Sequence, residues 1–520
     1  MYRLIISSLG LLIVATSILQ AQALKCASLK AQRFATTHIH SAESVAAGPF
    51  NIPQEGPVPA SSEAVPAFCR VRGEVAPHIG FELWMPAKGW NGRLVSVGSG
   101  GFGGAIDFRA LAKRLRQGYS GTANDTGHEG QGYEWMHDPA ARRAWGHSAT
   151  HDVTGPVKEI VRAFYRRAPA YSYFVGCSTG GAQAMEEAEF FPGDFNGIVA
   201  GSPGMYYSHL MLSFLWGLKV ATENAPLSQQ KLQFLNRAVM NQCDQEDGVK
   251  DGVLENPLAC HFNPATLLCK EPNTKDCLTH EEVKTAELMY RGPRNPRAGM
   301  EIYPGFVPGS EASPEFTGAI SWAYGWTLIQ GPLATQYAIP LLKNMVFGNK
   351  WDWKTFDFDH DVQRVDRRLH SDIDSTDPDL RGFRARGGKL IMIQGWGDPF
   401  NAQTFPIEYY KQVVRLFAAN EGERRAERTV NGFFRLFMAP GMGHCAGGPG
   451  PSEANDLDTL RAWVEKGKAP DLLVARKITL PTGKPARPAM TRPLCPYPEV
   501  ARWTKKGSTN DGNNFICTSQ

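Results

Sequence analysis

The chain has 520 residues, of which 42% are hydrophobic and 20% charged, so it is long enough to form more than one hydrophobic core. Its 55 lysines and arginines nearly balance its 51 aspartates and glutamates, which leaves a formal net charge of +4. With neither a basic run nor an aromatic platform, this balance argues against a nucleic-acid partner.

The first 23 residues have the organisation of a cleaved export signal. Arg3 supplies a positive charge, a mostly apolar stretch covers Leu4–Leu19, and the small residues Ala21 and Ala23 frame a cleavage site. Hydroxyl residues interrupt the stretch and no stop-transfer pattern follows, which favours secretion over a membrane anchor. No later stretch is long and apolar enough to span a bilayer. We therefore expect a secreted or periplasmic protein.

Strand and helix patterns alternate in the first part of the chain. A buried strand from Arg93 runs into a glycine-rich loop that ends at Gly104, and apolar spacing predicts a helix over His151–Arg167. Further strands are predicted at Tyr171–Val175 and Gly197–Ala200, with a helix between them. This alternation predicts a mostly parallel sheet covered by helices on both faces.

The alternation stops after about Tyr206. Residues 206–381 are rich in Pro, Asn, Trp and Cys and contain only short helical patterns such as Gln229–Asn241. Strand patterns return at Lys389–Gln394 and Phe433–Met438, and Leu457–Lys466 predicts a closing helix. We therefore predict an α/β catalytic domain formed by residues 24–205 and 382–520, interrupted by an inserted lid domain at residues 206–381.

The segment Gly176-Cys177-Ser178-Thr179-Gly180 has the pattern of a nucleophile elbow, because it lies between a predicted strand and a predicted helix. Glycines flank the serine because the turn is too tight for side chains there, and the turn lifts the serine oxygen clear of the sheet. The elbow pattern alone is a weak signal, so its value depends on the partners of the serine.

A serine hydrolase needs a histidine base and a carboxylate that orients the histidine. In α/β hydrolases these residues follow the serine, on loops after late strands. Asp398 follows the predicted strand at Lys389–Gln394, and His444 follows the one at Phe433–Met438. We therefore predict a triad of Ser178, Asp398 and His444. Three competing histidines precede the serine and lack this setting: His128, His147 and His151.

Ten cysteines follow the export signal, an even number that is typical of disulfides in an exported protein. Cys177 adjoins the serine and Cys445 adjoins the histidine, so a triad would bring these two cysteines within disulfide distance. Spacing suggests that the others form local pairs: Cys26–Cys69, Cys243–Cys260, Cys269–Cys277 and Cys495–Cys517. Sequence alone does not fix the connectivity, but this solution leaves no cysteine unpaired.

The oxyanion formed on attack needs two backbone donors. One is expected to be the amide of Thr179, and the other an amide of the loop Gly98–Gly104, where we prefer Gly101 to Gly100. The alternative is that this loop is only a tight turn. A second candidate site is the acidic, glycine-containing loop 244–253, whose oxygen ligands suit Ca²⁺ although its spacing is not that of an EF-hand. A solvated acidic turn is the alternative there.

Four segments of this chain together resemble the tannase and feruloyl esterase family of secreted serine hydrolases. The adjacent Cys-Ser and His-Cys pairs are the most specific of these features, and the resemblance covers essentially the whole chain after the export signal. The segments are Gly176–Gly181, Asp125-Thr126-Gly127-His128, Gly388–Asp398 and Pro440–Cys445.

The resemblance implies an α/β-hydrolase fold, a disulfide between Cys177 and Cys445, and a lid with one structural calcium and no organic cofactor. Carried over by position, the calcium ligands are the side chains of Asp244, Asp247 and Asp251 and the carbonyls of Val249 and Val253.

The resemblance also implies small substrates, namely esters of aromatic acids such as gallates and ferulates. Some members of the family cleave a terephthalate half-ester, but the enzyme with that activity carries a glutamate where this chain has Thr179, which disfavours the activity here. Aromatic residues of the lid would line an aryl pocket or form the core of the lid itself: Trp322, Tyr324, Trp326 and Phe347. Competing hypotheses are an inactive, calcium-stabilised binding protein and a peptidase.

Overall fold

The computed structural model describes residues 25–53, 60–130, 132–270, 276–312, 325–479 and 487–519. The predicted export signal lies outside these residues. Within them, none of the helices combines the length and apolar character needed to cross a membrane.

The described residues form sixteen strands and fourteen α-helices. The strands are β1 (Thr37–Val45), β2 (Gly48–Ile52), β3 (Ser61–Val65), β4 (Phe68–Val75), β5 (Ile79–Pro86), β6 (Arg93–Val97), β7 (Ser120–Asn124), β8 (Tyr171–Cys177), β9 (Gly197–Gly201), β10 (Lys389–Gly395), β11 (Phe434–Ala439), β12 (Glu453–Ala454), β13 (Leu473–Thr479), β14 (Arg487–Leu494), β15 (Val500–Trp503) and β16 (Phe515–Thr518). The helices are α1 (Phe108–Arg116), α2 (Pro139–Arg143), α3 (Ala149–Tyr165), α4 (Thr179–Glu189), α5 (Tyr207–Glu223), α6 (Gln229–Cys243), α7 (His280–Arg291), α8 (Trp326–Ile329), α9 (Ile339–Leu342), α10 (Val362–Ile373), α11 (Arg381–Ala385), α12 (Phe405–Glu421), α13 (Glu423–Asn431) and α14 (Asp456–Lys466).

Nine of the described strands form the main sheet, in the order β1-β4-β5-β7-β6-β8-β9-β10-β11. The strands from β7 to β11 in this order pair in parallel. The other edge, β1, β4 and β5, is antiparallel and β5 joins it to β7. The mostly parallel sheet predicted from the sequence is therefore confirmed, with an antiparallel edge that the sequence did not predict.

Both faces of the parallel strands are covered, as their apolar sequences require. Neighbouring residues of β8 point to opposite faces, so Phe174 packs with α4 and α12 while Tyr173 packs with α1 and α14. Strand β10 is buried from its second residue to its last. This packing holds the carboxyl ends of β8, β10 and β11, where loops carry the candidate site, at one edge of the sheet.

The segment of residues 206–381, called the insertion below, adds no strand to the main sheet among its described residues. It begins with α5, and its apolar residues form a core that also includes Phe102, Trp135 and Trp145 from the preceding part of the chain. Trp326 is fully buried in that core beside Tyr290, whereas Phe347 is partly buried and stacks on Trp351 at 4.7 Å. Trp322 and Tyr324 lie outside the described residues.

All ten cysteines form disulfides, in the pairs that the sequence suggested: Cys26–Cys69, Cys177–Cys445, Cys243–Cys260, Cys269–Cys277 and Cys495–Cys517. Four of the bridges are local, with sequence separations between 8 and 43 residues. The bridge between Cys177 and Cys445 spans 268 residues, including the whole insertion, with a Cα–Cα distance of 5.9 Å.

Candidate active site

Ser178 occupies a strained turn between β8 and α4. Its φ of 63° and ψ of −122° lie in a region that residues with side chains rarely adopt, as expected at a nucleophile elbow. A Cβ on Gly176 would lie 2.2 Å from the carbonyl oxygen of Gly180, and one on Gly181 would lie 2.4 Å from the carbonyl oxygen of Gly201. Only glycine fits at these positions, which explains the sequence pattern around the serine.

Asp398 lies directly beyond β10 and is completely buried. Its carboxylate accepts hydrogen bonds from Gln394 Nε2 at 3.0 Å and from the amides of Phe400 and Asn401 at 2.8 and 3.1 Å. These three donors stabilise the ionised carboxylate and fix the direction in which it points.

His444 follows β11 and faces that carboxylate. Its Nδ1 lies 2.9 Å and 3.1 Å from the two carboxylate oxygens of Asp398, and its ring stacks on Phe400 with centroids 4.3 Å apart. The side chain is only 4% exposed. Since Nδ1 faces Asp398, Nε2 is the nitrogen that can take a proton from a nucleophile.

The Cys177–Cys445 disulfide joins the residue before Ser178 to the residue after His444. With the two cysteine Cα atoms 5.9 Å apart, the nucleophile turn and the histidine loop are neighbours. The structure therefore brings Ser178, Asp398 and His444 to one edge of the sheet. Two of the competing histidines lie elsewhere, since His147 rests on Phe190 and His151 contacts Asp194, whereas His128 lies beside Gly104 of the glycine-rich loop.

The glycine-rich loop, residues 98–104, contacts the start of α4. The hydroxyl of Thr179 donates to the carbonyl of Gly101 at 2.6 Å, and a Cβ on Gly98 would lie 2.6 Å from the Cα of Gly180. Within the loop, the amide of Gly103 donates to the carbonyl of Gly100 at 2.9 Å. The loop thus lies next to the amide of Thr179, where a second oxyanion donor is needed.

The turn formed by Asp125–His128 packs against the glycine-rich loop. The amide of Gly104 donates to the carbonyl of Asp125 at 3.0 Å, and a Cβ on Gly103 would lie 2.1 Å from the hydroxyl of Thr126. Thr126 itself has a φ of 66°, which is rare for a β-branched residue. Burial raises the pKa of Asp125 to about 7 and lowers the pKa of His128 to about 4, so this histidine is neutral at neutral pH.

Aromatic side chains surround the candidate site, and the sequence analysis missed them. Tyr337 lies against the glycine-rich loop, since its hydroxyl would be 3.2 Å from a Cβ on Gly101, and its ring is 5.2 Å from that of Phe102. Phe400 covers His444, and the buried Tyr207 begins α5 shortly after β9. Phe102 lies within the glycine-rich loop and Phe400 lies two residues after Asp398, so the sequence could have indicated both. Nothing in the sequence indicates that Tyr337 borders the site.

The predicted calcium loop contains carboxylates that are partly engaged with other groups. Asp244 accepts from the amide of Gly252 at 3.0 and 3.1 Å, Asp247 accepts from the amide of Val249 at 2.8 Å, and Asp251 pairs with Arg492. In the part of the chain that the structure describes, no three His, Cys, Asp or Glu side chains are grouped as a metal site would group them.

The charges of this loop nevertheless suit a cation. Burial raises the pKa of Asp244, that of Asp247 to about 6 and that of the neighbouring Glu255 to about 8. The buried Arg492 ion-pairs with Asp251 of the loop and with the neighbouring Glu255. Carboxylates here outnumber the positive charges that pair with them, and a hard cation such as Ca²⁺ would complete such a set of oxygen ligands.

Comparisons with known proteins agree with this geometry. Residues 62–518 match the family Tannase and feruloyl esterase. An uncharacterized esterase of Xanthomonas campestris pv. campestris is 39% identical over 95% of this chain and 91% of its own. Mono(2-hydroxyethyl) terephthalate hydrolase of Piscinibacter sakaiensis is 32% identical over 89% of this chain and 87% of its own.

Solved structures show the same fold. Feruloyl esterase B from Aspergillus oryzae superposes with a TM-score of 0.82 and 28% identity, covering 95% of this chain and 99% of that one. Tannin acyl hydrolase from Aspergillus niger superposes with a TM-score of 0.77 at 19% identity, covering 95% of each chain. The chain therefore belongs to the tannase and feruloyl esterase family and is a carboxylic ester hydrolase.

Proposed function

We propose that this protein cleaves esters of aromatic acids through an acyl-enzyme formed on Ser178. The observation that carries the proposal is a carboxylate–histidine pair at 2.9 Å, held next to a strained serine and bordered by the rings of Phe400, Phe102 and Tyr337. Rings bordering a nucleophile favour a flat aryl group over a flexible chain, because aromatic pairs add attraction beyond the burial of apolar area. Relatives named feruloyl esterase B and mono(2-hydroxyethyl) terephthalate hydrolase support the same class of acid.

In the proposed reaction, the hydroxyl of Ser178 attacks the ester carbonyl while Nε2 of His444 takes its proton. Asp398 holds the imidazole in the required tautomer and stabilises the imidazolium. The amides of Thr179 and Gly101 stabilise the oxyanion. His444 then protonates the departing alcohol, and a water activated by the same nitrogen hydrolyses the acyl-enzyme, which releases the acid and restores the serine.

Cleavage of a terephthalate half-ester is the second candidate within this class. It is favoured by the 32% identity to the hydrolase of that name. It is opposed by Thr179, a neutral residue whose hydroxyl is already engaged by the carbonyl of Gly101. We therefore propose hydroxycinnamate and gallate esters as the preferred substrates.

Three further parts of the proposal concern the rest of the molecule. The insertion acts as a lid over the site, since its residue Tyr337 lies against Gly101 of the glycine-rich loop. Calcium binds to the side chains of Asp244, Asp247 and Asp251 and the carbonyls of Val249 and Val253, where it stabilises the fold. Five disulfides support export to an oxidising compartment.

A panel of esters tests the proposal. Acid release is measured from methyl ferulate, methyl gallate, chlorogenate, mono(2-hydroxyethyl) terephthalate and the aliphatic control methyl hexanoate. We expect the hydroxycinnamate or gallate esters to be cleaved fastest and the Ser178→Ala variant to be inactive on all of them. Release only from methyl hexanoate would contradict the aromatic specificity, and release from none would favour an inactive binding protein.

A further inference from the structure

A cavity lies in the insertion, away from the candidate active site. It has a volume of about 550 Å³, within the size range of small-molecule sites. Its walls come from α5, from the loop after α7 and from the segment before α10, and none of them belongs to the triad segments. Trp216, which lines it, lies about 14 Å along α5 from Tyr207, which is too far for one small ligand to reach both sites.

Aromatic rings and cations form the lining together. Trp216 packs edge-on against Phe358 with centroids 5.1 Å apart, and Phe356 packs on Phe358 at 4.8 Å. Both phenylalanines are almost completely buried, so Trp216 is the more accessible ring of the three. The charged lining residues are Lys219, Arg291, Arg294 and Asp357.

Most polar groups of the cavity are already engaged within the protein. Lys219 donates to the carbonyl of Lys354 and pairs with the exposed Glu223, while Arg294 donates to Gly299 and pairs with Glu301. The side-chain amide of Asn295 donates to the carboxylate of Asp359 and accepts from two backbone amides. The carboxylate of Asp357 accepts from the backbone amide of Asp359.

Arg291, the last residue of α7, differs from these groups. Among the described residues its guanidinium has neither a carboxylate nor a carbonyl partner. A guanidinium presents a fork of N–H donors that matches a carboxylate in a planar, bidentate arrangement. The cavity therefore offers one strong anion-binding group beside apolar rings.

The geometry points to a second ligand site in this cavity, which binds a small aromatic monocarboxylate with its carboxylate on Arg291 and its ring against Trp216. A sugar or another polyol fits less well, because the other polar groups of the lining are occupied and would leave its hydroxyls without partners. A simple inorganic anion would use Arg291 but not the rings. The inference stands on the cavity and does not depend on the esterase activity, although the proposed reaction releases acids of this class.

Calorimetric titration of the full-length protein with three probes tests the inference. Benzoate carries both ring and charge, benzamide keeps the ring without the charge, and cyclohexanecarboxylate keeps the charge without the aromatic ring. We expect benzoate to bind with a dissociation constant of about 0.1–5 mM and the other two probes to bind at least about fivefold more weakly. Blocking the active-site serine with a phosphonate beforehand, verified by mass, removes benzoate binding at the catalytic site.

The matched variants are Arg291→Gln and Lys284→Gln, which remove the same charge from exposed positions of α7. Arg291→Gln should weaken benzoate binding at least about fivefold, whereas Lys284→Gln should leave it unchanged. Arg291→Lys should recover part of the loss, because it restores the charge without the fork. If the phosphonate fails to react, the proposed function is in question, but the comparison of these variants on the unblocked protein still decides this inference.

Three results would overturn the second site. They are equal benzoate affinity in the Arg291→Gln and Lys284→Gln variants, equal affinity for all three probes, and no saturable benzoate binding up to about 20 mM. Melting temperatures of the variants, measured alongside, exclude loss of the fold as the cause of weaker binding.

Discussion

Removal of the Cys177–Cys445 disulfide is expected to reduce both stability and turnover. The bridge closes a segment of 268 residues, for which the chain-entropy estimate of stabilisation is about 5–6 kcal/mol, an upper figure because residual structure in the unfolded chain lowers it. The control bridge Cys269–Cys277 closes only 8 residues, so the same estimate is about 2–3 kcal/mol. The double variant Cys177→Ala/Cys445→Ala should therefore unfold at much lower denaturant than Cys269→Ala/Cys277→Ala.

The effect on turnover has a separate cause. The bridge ties the turn of Ser178 to the loop of His444, and a displacement of about 1 Å between nucleophile and base can cost about 10²-fold in rate. We expect kcat of the Cys177→Ala/Cys445→Ala variant to fall about 10²-fold at a temperature where circular dichroism shows it folded, while the control variant keeps its kcat. A folded Cys177→Ala/Cys445→Ala variant with kcat within twofold of the parent protein would refute the reasoning.

Six further changes, which test four parts of the molecule, have defined outcomes. Ser178→Ala should keep the parent melting temperature and lose about 10³-fold or more of kcat. Asp398→Asn should lose about 10⁴-fold of kcat, because the histidine takes the wrong tautomer. Unchanged kcat in either variant would show that the residue is not part of the triad. Gly103→Ala should lower kcat more than it raises KM, because its Cβ would meet the hydroxyl of Thr126 at 2.1 Å and displace the glycine-rich loop. Kinetics like those of the parent protein would argue against a role of this loop in stabilising the oxyanion. A chelator should lower the melting temperature, and Asp247→Ala should lower it without a chelator. If the melting temperature does not respond to the chelator and the purified protein contains no metal, the acidic loop 244–253 is a solvated turn. Burial raises the pKa of Glu189 from 4.5 to about 8. The fold therefore loses stability as the pH rises from about 4.5 to about 8, because this carboxyl ionises first in the unfolded chain. Glu189→Gln should raise the melting temperature at about pH 9 but not at about pH 4.5, and equal shifts at both would contradict this.

The elbow, the acid and histidine loops and the disulfide pairs could be predicted because each depends on residue types that the local geometry requires. Gly176 admits no other residue, and the two loops follow strands that are rich in apolar residues. The boundaries of β10, β11 and α14 lie within one residue of the prediction. The resemblance to the family rested on these segments, and the match over residues 62–518 confirms it.

The antiparallel edge and the aromatic border of the site could not be predicted, because both depend on tertiary contacts. Strand β1 is mostly exposed and lacks a clean alternation of apolar and polar residues, so only its pairing with β4 marks it as a strand. Trp326 and Tyr337 are equally aromatic in sequence, yet the first is buried in the insertion and the second lies against Gly101. The hydrophobic pattern of the sequence indicates that an aromatic side chain prefers to be buried, but it does not indicate which site the side chain borders.

The proposed reaction requires that Ser178 forms a covalent acyl intermediate with aromatic acids. Its most direct test is to mix the protein with excess methyl ferulate, quench with acid on the millisecond timescale, digest the protein and measure peptide masses. We expect a feruloyl group on the peptide that contains Ser178, and no such group in the Ser178→Ala variant. Hydrolysis of the ester with no acylated peptide at any time, or acylation of a different residue, would contradict it.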